Sequence, residues 1–228
     1  MLRSIMARTS LTKVLIIDNH PIFTMGLSSL LENSNKYNII GIAVNSQDAL
    51  RLTENERPKL IIMEVELGSE NGMDLITQLK VLFPEISILV LSINEERYFS
   101  ERVLRLGARG YIMKTAKPDE ILNAVSTIME GKVFLSDNER DRIFQAISED
   151  NIIGSRDWAV SLQKLSNREL QVFTLIGKGF GTIEIATRLD LSTKTIDTHK
   201  EHIKLKLHCT TSQELRQLAI EWSNQSGS

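Results

Sequence analysis

The chain has 228 residues, 42% hydrophobic and 25% charged, with a formal net charge of −2. Its length accommodates one or two domains, and its composition is that of an ordinary folded soluble protein rather than a wholly basic nucleic-acid binder. Cys209 is the single cysteine, so an intrachain disulfide framework is excluded, and no apolar run exceeds five residues, far short of a membrane span.

The opening MLRSIMARTSLTK lacks a signal-peptide core, and residues 1–12 read as a disordered tail. Five short runs follow: KVLII (13–17), NIIGIA (38–43), KLIIM (59–63), SILVL (87–91) and RGYIM (109–113). Runs that are apolar on both alternating faces predict strands buried from two sides in a parallel sheet. Segments 21–32, 72–82, 95–106 and 118–130 carry helical spacing; in the first, Phe23, Leu27, Leu30 and Leu31 share a face. This alternation predicts an α/β fold, a (βα)5 doubly wound parallel sheet of strand order 2-1-3-4-5.

In such a sheet the residues that follow the strands meet at one edge. Asp18 and Asn19 follow the first strand, Glu64 the third, Ser92 the fourth and Lys114 the fifth. The first and third strands flank the crevice where the winding reverses. Two acids, an amide, a hydroxyl and an ammonium are therefore expected in one pocket.

Residues 13–131 resemble the receiver domain of two-component response regulators. The text that carries the resemblance is IIDNHP (16–21), the Glu64 strand end, NG (71–72), LS (91–92) and GARGYIMK (107–114). In that family an acidic pair after the first strand holds Mg²⁺ and an aspartate after the third accepts a phosphoryl group from a histidine kinase. A Ser/Thr and a Lys bind the phosphoryl oxygens, and an aromatic residue on the fifth strand reports the state. Carried over, the positions are Asp18 with Asn19, Glu64, Ser92, Lys114 and Tyr111.

Two chemical positions depart from that pattern. Asn19 replaces the second acid, so Mg²⁺ binding is expected to be weak or absent. Glu64 replaces the phospho-acceptor and is one methylene too long for in-line phosphoryl transfer. The loop also reads Leu67-Gly68 where the family usually has Met-Pro. The expectation is a receiver without a cognate histidine kinase. Either Glu64 beside Lys114 and Ser92 holds it permanently active-like, or the pocket is inert and kept for packing.

Residues 134–162 read as a linker with a short helix inside 136–151, then a tether through Gly154 and Ser155. From 163 to 228 no strand-like run remains. Nine Lys and Arg face seven Asp and Glu from Ser161 onward. Ser166 with Glu169 makes a capping box ahead of Leu170, Val172, Phe173 and Ile176. A helix over about 182–189, the connection DLS and a helix over about 193–207 suggest a helix-turn-helix. With Ile196 facing inward, Ile203 and Leu207 lie within about 20° of it, while Lys194, Thr198 and Glu201 point away. A last helix, about 211–222, carries Leu215, Leu218, Ala219 and Trp222, which form either a dimer seam or simple core packing.

The stretch 165–207 resembles the LuxR-type output domain of NarL/FixJ regulators, through its L-S-x-R-E opening, G-x-G break, E-I-A, L-x-L-S, T-I-x-x-H and K-L. The resemblance implies DNA contacts from Lys194, Thr195, Asp197, Thr198, Lys200, Glu201 and Lys204. Asp197 and Glu201 stand where relatives are often basic, so affinity per monomer is expected to be modest and a homodimer necessary. The chain is thus expected to be a cytoplasmic regulator that binds double-stranded DNA, is not an enzyme and does not engage a membrane. The alternative is an interaction module whose receiver pocket binds a partner or small ligand.

Overall fold

The computed structural model describes residues 11–68, 70–148, 162 and 164–224. They divide into two compact units: the chain up to Leu67 with Leu75–Ser136, and Gly68–Asp74 with the chain from Asp137 onward. The expected tail and the Gly154–Ser155 tether fall outside the described residues, except that Thr12, assigned to the tail, already opens the first strand.

In chain order the first half holds β1 (Thr12–Ile17), α1 (Pro21–Asn33), β2 (Tyr37–Ala43), α2 (Ser46–Glu56) and β3 (Leu60–Met63). Two short strands follow, β4 (Glu66–Leu67) and β5 (Glu70–Asn71), then α3 (Gly72–Leu82), β6 (Ser87–Ser92), α4 (Glu96–Arg105), β7 (Gly110–Met113) and α5 (Pro118–Met129). The five-stranded sheet is parallel, in the order β2-β1-β3-β6-β7. With β4 and β5 set aside, this is the expected 2-1-3-4-5 order.

Both faces of β1, β3, β6 and β7 are buried along their apolar runs, whereas β2, at the sheet edge, is fully buried only at Tyr37 and Ala43 and leaves Ile42 43% exposed, against the expectation of burial from two sides. Val14, Ile16, Leu60, Ile62, Leu89 and Leu91 pack on one face with Leu27 and Leu31 of α1 and Ile121 and Val125 of α5. The alternate residues Leu15, Ile17, Ile61, Met63, Ile88 and Val90 are buried on the other. At about 1.5–3 kcal/mol for each fully buried aliphatic side chain, this double burial is the main force holding the strands parallel.

Two elements escape the sequence pattern. The helix α2 buries only Ala49 and Thr53, too little apolar surface to show a period; its start is fixed by Asn45, whose side chain accepts from the Asp48 N–H at 2.8 Å. Gly68, in the loop that replaces Met-Pro, has φ 62°, a left-handed conformation closed to proline. The departure from the family's loop is therefore structural, and β4 and β5 form where it turns.

The second unit begins with α6 (Asp137–Ser148), the short helix expected in the linker, followed by α7 (Asn167–Gly177), α8 (Thr182–Arg188), α9 (Thr193–Leu207) and α10 (Ser212–Asn224). The capping box forms: the Ser166 N–H donates to Glu169 at 2.6 Å and the Glu169 N–H to the Ser166 hydroxyl at 3.3 Å. The core gathers Leu170, Val172, Phe173, Ile185, Ile196 and Ile203. Leu215, Ala219 and Trp222 of α10 are buried in it, and the Trp222 ring sits 5.4 Å from that of Phe173. Core packing accounts for Leu215, Ala219 and Trp222, while Leu218 is only half-buried. The helices α7 and α10 approach so closely that a Cβ on Gly177 would lie 2.4 Å from the Ala219 carbonyl oxygen.

Candidate functional site

The pocket at the carboxyl edge of the sheet follows from register. Ile17 pairs with Met63 and Met63 with Val90, so Asp18 and Glu64 leave the sheet side by side. The Lys114 N–H donates to the Ser92 carbonyl at 2.7 Å, which closes the edge on the other side.

Glu64 occupies the centre and is fully buried. Its Oε1 accepts from the Ser92 hydroxyl at 2.5 Å, the Val65 N–H at 2.7 Å and the Glu66 N–H at 3.2 Å. Its Oε2 accepts from the Ile93 N–H at 3.3 Å and faces Lys114 Nζ at 3.1 Å. Burying a carboxylate is costly unless its lone pairs are met, and here five donors meet them.

Lys114 is held on three sides. Its Nζ lies 2.5 Å from Asp18 Oδ2 and 4.7 Å from the centre of the Phe23 ring, a cation–π contact. Asp18 Oδ1 accepts from the His20 N–H at 2.9 Å and lies 2.8 Å from His20 Nδ1, which is itself 3.3 Å from Lys114 Nζ. Both oxygens of Asp18 are thus engaged by the chain's own groups.

Four of the five expected pocket residues, Asp18, Glu64, Ser92 and Lys114, come together in this way. Asn19 does not join them: it is exposed at the rim. Two further residues belong to the site. His20 reaches Asp18 through a two-residue turn, a local habit of Asp side chains visible in principle in D-N-H. Asn94 is buried, and its backbone and side-chain N–H groups approach the Ser92 hydroxyl at 3.2 and 3.4 Å. Its carbonyl accepts from the Tyr111 hydroxyl at 2.7 Å. Tyr111 is fully buried, and that burial pushes its phenol well above the usual tyrosine range. A chain of hydrogen bonds therefore runs from Glu64 through Ser92 and Asn94 to Tyr111.

In the helical unit, Ser192 caps α9 by accepting from the Thr195 N–H at 3.0 Å. The connection from α8 turns at Asp190, φ 49°. Ile196, Ile203 and Leu207 face inward, while Lys194, Asp197, Thr198 and Glu201 are exposed and Thr195 is half-buried. Lys200 and Lys204 are engaged within the unit: Lys200 Nζ donates to the Thr182 hydroxyl, and Lys204 Nζ lies 2.8 Å from Glu201. The Arg168 guanidinium donates to the Leu189 carbonyl at 2.7 Å, tying α7 to the end of α8.

Comparison with known proteins agrees with this division. Residues 14–126 match the family described as response regulator receiver domain, and residues 163–219 match bacterial regulatory proteins of the luxR family. The oxygen regulatory protein NreC of Staphylococcus aureus is 29% identical over 210 residues, covering 92% of this chain and 97% of that protein. The RcsB response regulator of Salmonella typhimurium, 26% identical, superposes with a TM-score of 0.67 over 92% of this chain and 98% of that one. A structure of two RcsB dimers bound to two parallel DNAs, 26% identical, gives a TM-score of 0.56 over 96% and 100%.

Proposed function

The chain belongs to the response regulators that join a receiver domain to a LuxR-type helix-turn-helix domain, and from that premise we propose a DNA-binding transcription regulator whose receiver is set by Glu64 rather than by phosphorylation. The observation that carries the proposal is the saturation of Glu64. The ammonium and hydroxyl that would receive phosphoryl oxygens already hold its carboxylate, at 3.1 and 2.5 Å. An electrophilic phosphorus has no free lone pair to approach. A carboxylate supplies −1 where a phosphoryl group supplies about −1.5 to −2, so the imitation is partial. The buried Tyr111 and its link through Asn94 to Ser92 favour an active-like receiver over an inert one.

The proposal extends to the metal. These residues do not fit Mg²⁺, which needs hard oxygens in a near-octahedral set. Asp18 gives one oxygen to Lys114 and the other to His20, and Asn19 is a neutral amide at the rim, so no free carboxylate oxygen remains for the ion.

We read the active species as a homodimer on double-stranded DNA. A DNA-facing helix that carries two acids gains little per copy, and two linked copies multiply that gain. The RcsB dimers on DNA support this reading. A protein acting on promoter DNA works in the cytoplasm, and no described helix is long and apolar enough to cross a membrane.

The test combines mass and binding. After incubation with a small phosphodonor and Mg²⁺, the intact protein is expected to carry no phosphoryl adduct. Unmodified full-length protein is expected to shift promoter duplex, with Glu64→Gln weaker. A stoichiometric adduct on the unaltered chain would end the phosphorylation-independent reading. Failure to bind any duplex would favour the interaction-module alternative.

A further inference from the structure

We propose that Asp197 fixes one base pair of the operator by accepting a hydrogen bond from the amino group of a cytosine in the major groove; this rests on the DNA-binding reading above. The charged groups on the outer face of α9 are not equivalent. Glu201 is paired with Lys204 at 2.8 Å and approaches DNA already neutralised. Lys200 is turned to Thr182, and the Thr198 hydroxyl donates to the Lys194 carbonyl at 3.0 Å. Asp197 is exposed and, among the described residues, has neither an ion pair nor a side-chain hydrogen bond. It sits within the first turns of α9, the part of a recognition helix that reaches base edges.

A bare carboxylate on a surface that meets phosphate weakens binding to every duplex. It gains only where a base offers it a donor. In the major groove the donors are cytosine N4 and adenine N6. Adenine sets its N7 acceptor beside the amino group, and that lone pair opposes a carboxylate oxygen. Guanine offers acceptors at O6 and N7, and thymine an acceptor at O4. Cytosine alone presents a donor with no acceptor beside it on the same base. Asp197 therefore rejects three bases, accepts one, and lowers the background of non-specific binding.

Selection from a randomised duplex pool with the full-length protein, followed by titration of single-base variants and of a random duplex, tests this. The unaltered protein is expected to select cytosine at one half-site position and to lose roughly tenfold in affinity for other bases there. Asp197→Ala is expected to abolish that preference and to bind random duplex more tightly. Asp197→Asn is expected to move the preference to adenine, whose N6 and N7 an amide satisfies together. Should Asp197→Ala, with an unchanged circular dichroism spectrum, select the same bases as the unaltered protein, the assignment fails while the DNA-binding reading stands. Should the unaltered protein bind no duplex, both fail.

Discussion

At the scale of single residues, the pocket is decided by one methylene. It carries the Glu64 carboxylate forward until one oxygen meets Ser92 and the other meets Lys114. Glu64→Ala would leave Lys114 with Asp18 alone and strand the Val65 and Glu66 N–H groups. A loss of about 3–5 kcal/mol is expected, the scale of breaking a buried ion pair, read as a fall in urea midpoint. Glu64→Gln keeps the volume and two acceptor lone pairs and should cost less, about 1–3 kcal/mol. Tyr111→Phe removes only the donor to the Asn94 carbonyl, and about 1 kcal/mol is expected from the same measurement. The acids, hydroxyl and ammonium of this pocket were legible in the sequence because topology alone brings strand ends together. Asn94 was not, since it acts through a backbone carbonyl that every residue possesses. Asn19 stays exposed outside the Lys114 cluster, because adjacency to Asp18 in the sequence does not by itself bring a side chain into it.

At the scale of elements, α7 shows how a start signal becomes a stability term. Burial pushes the Glu169 carboxyl up, but hydrogen bonds from Lys206, the Ser166 N–H and the Ser166 hydroxyl, with the charge of Lys206, outweigh it and hold the group below the usual glutamate range. A depressed carboxyl contributes stability that is complete above its unfolded value, about 4.3, and is lost as pH falls through the lower folded value. Unfolding followed by Trp222 fluorescence in a Trp158→Phe background should show the helical unit weakening below about pH 4.3, and Glu169→Gln should flatten that dependence. Gly177→Ala makes the opposite kind of change: a methyl forced against the Ala219 carbonyl should destabilise the unit by about 1–3 kcal/mol, despite alanine's better helix propensity. The capping box, the helix-turn-helix spacing and the inward seam of α9 were readable because they recur locally. The helix α2 and the strands β4 and β5 were not. The first hides its buried face in Ala49 and Thr53, and two-residue strands are too short to show a period.

At the scale of the whole molecule, the net charge of −2 conceals a helical half with more Lys and Arg than Asp and Glu. Binding to duplex DNA should therefore fall with salt, but on a shallow slope, because Lys200 is engaged with Thr182, Lys204 is paired with Glu201, and Asp197 offsets a remaining cation. A slope worth more than a few phosphates per monomer, measured by anisotropy across a salt series, would contradict this. Sedimentation of the unmodified protein should show a monomer–dimer equilibrium that does not move when a phosphodonor is added.

Glu64 is part of the polypeptide and has no rate of removal. A phosphoryl group arrives and hydrolyses, so the relatives that use one possess a clock; a carboxylate sealed by five donors has none. Under the proposed setting of the receiver by Glu64, command over the target genes passes to abundance, to how fast ribosomes make the chain and proteases clear it. For the proposed homodimer, promoter occupancy would rise with roughly the square of copy number at low concentration, so a modest change in expression would become a steep response.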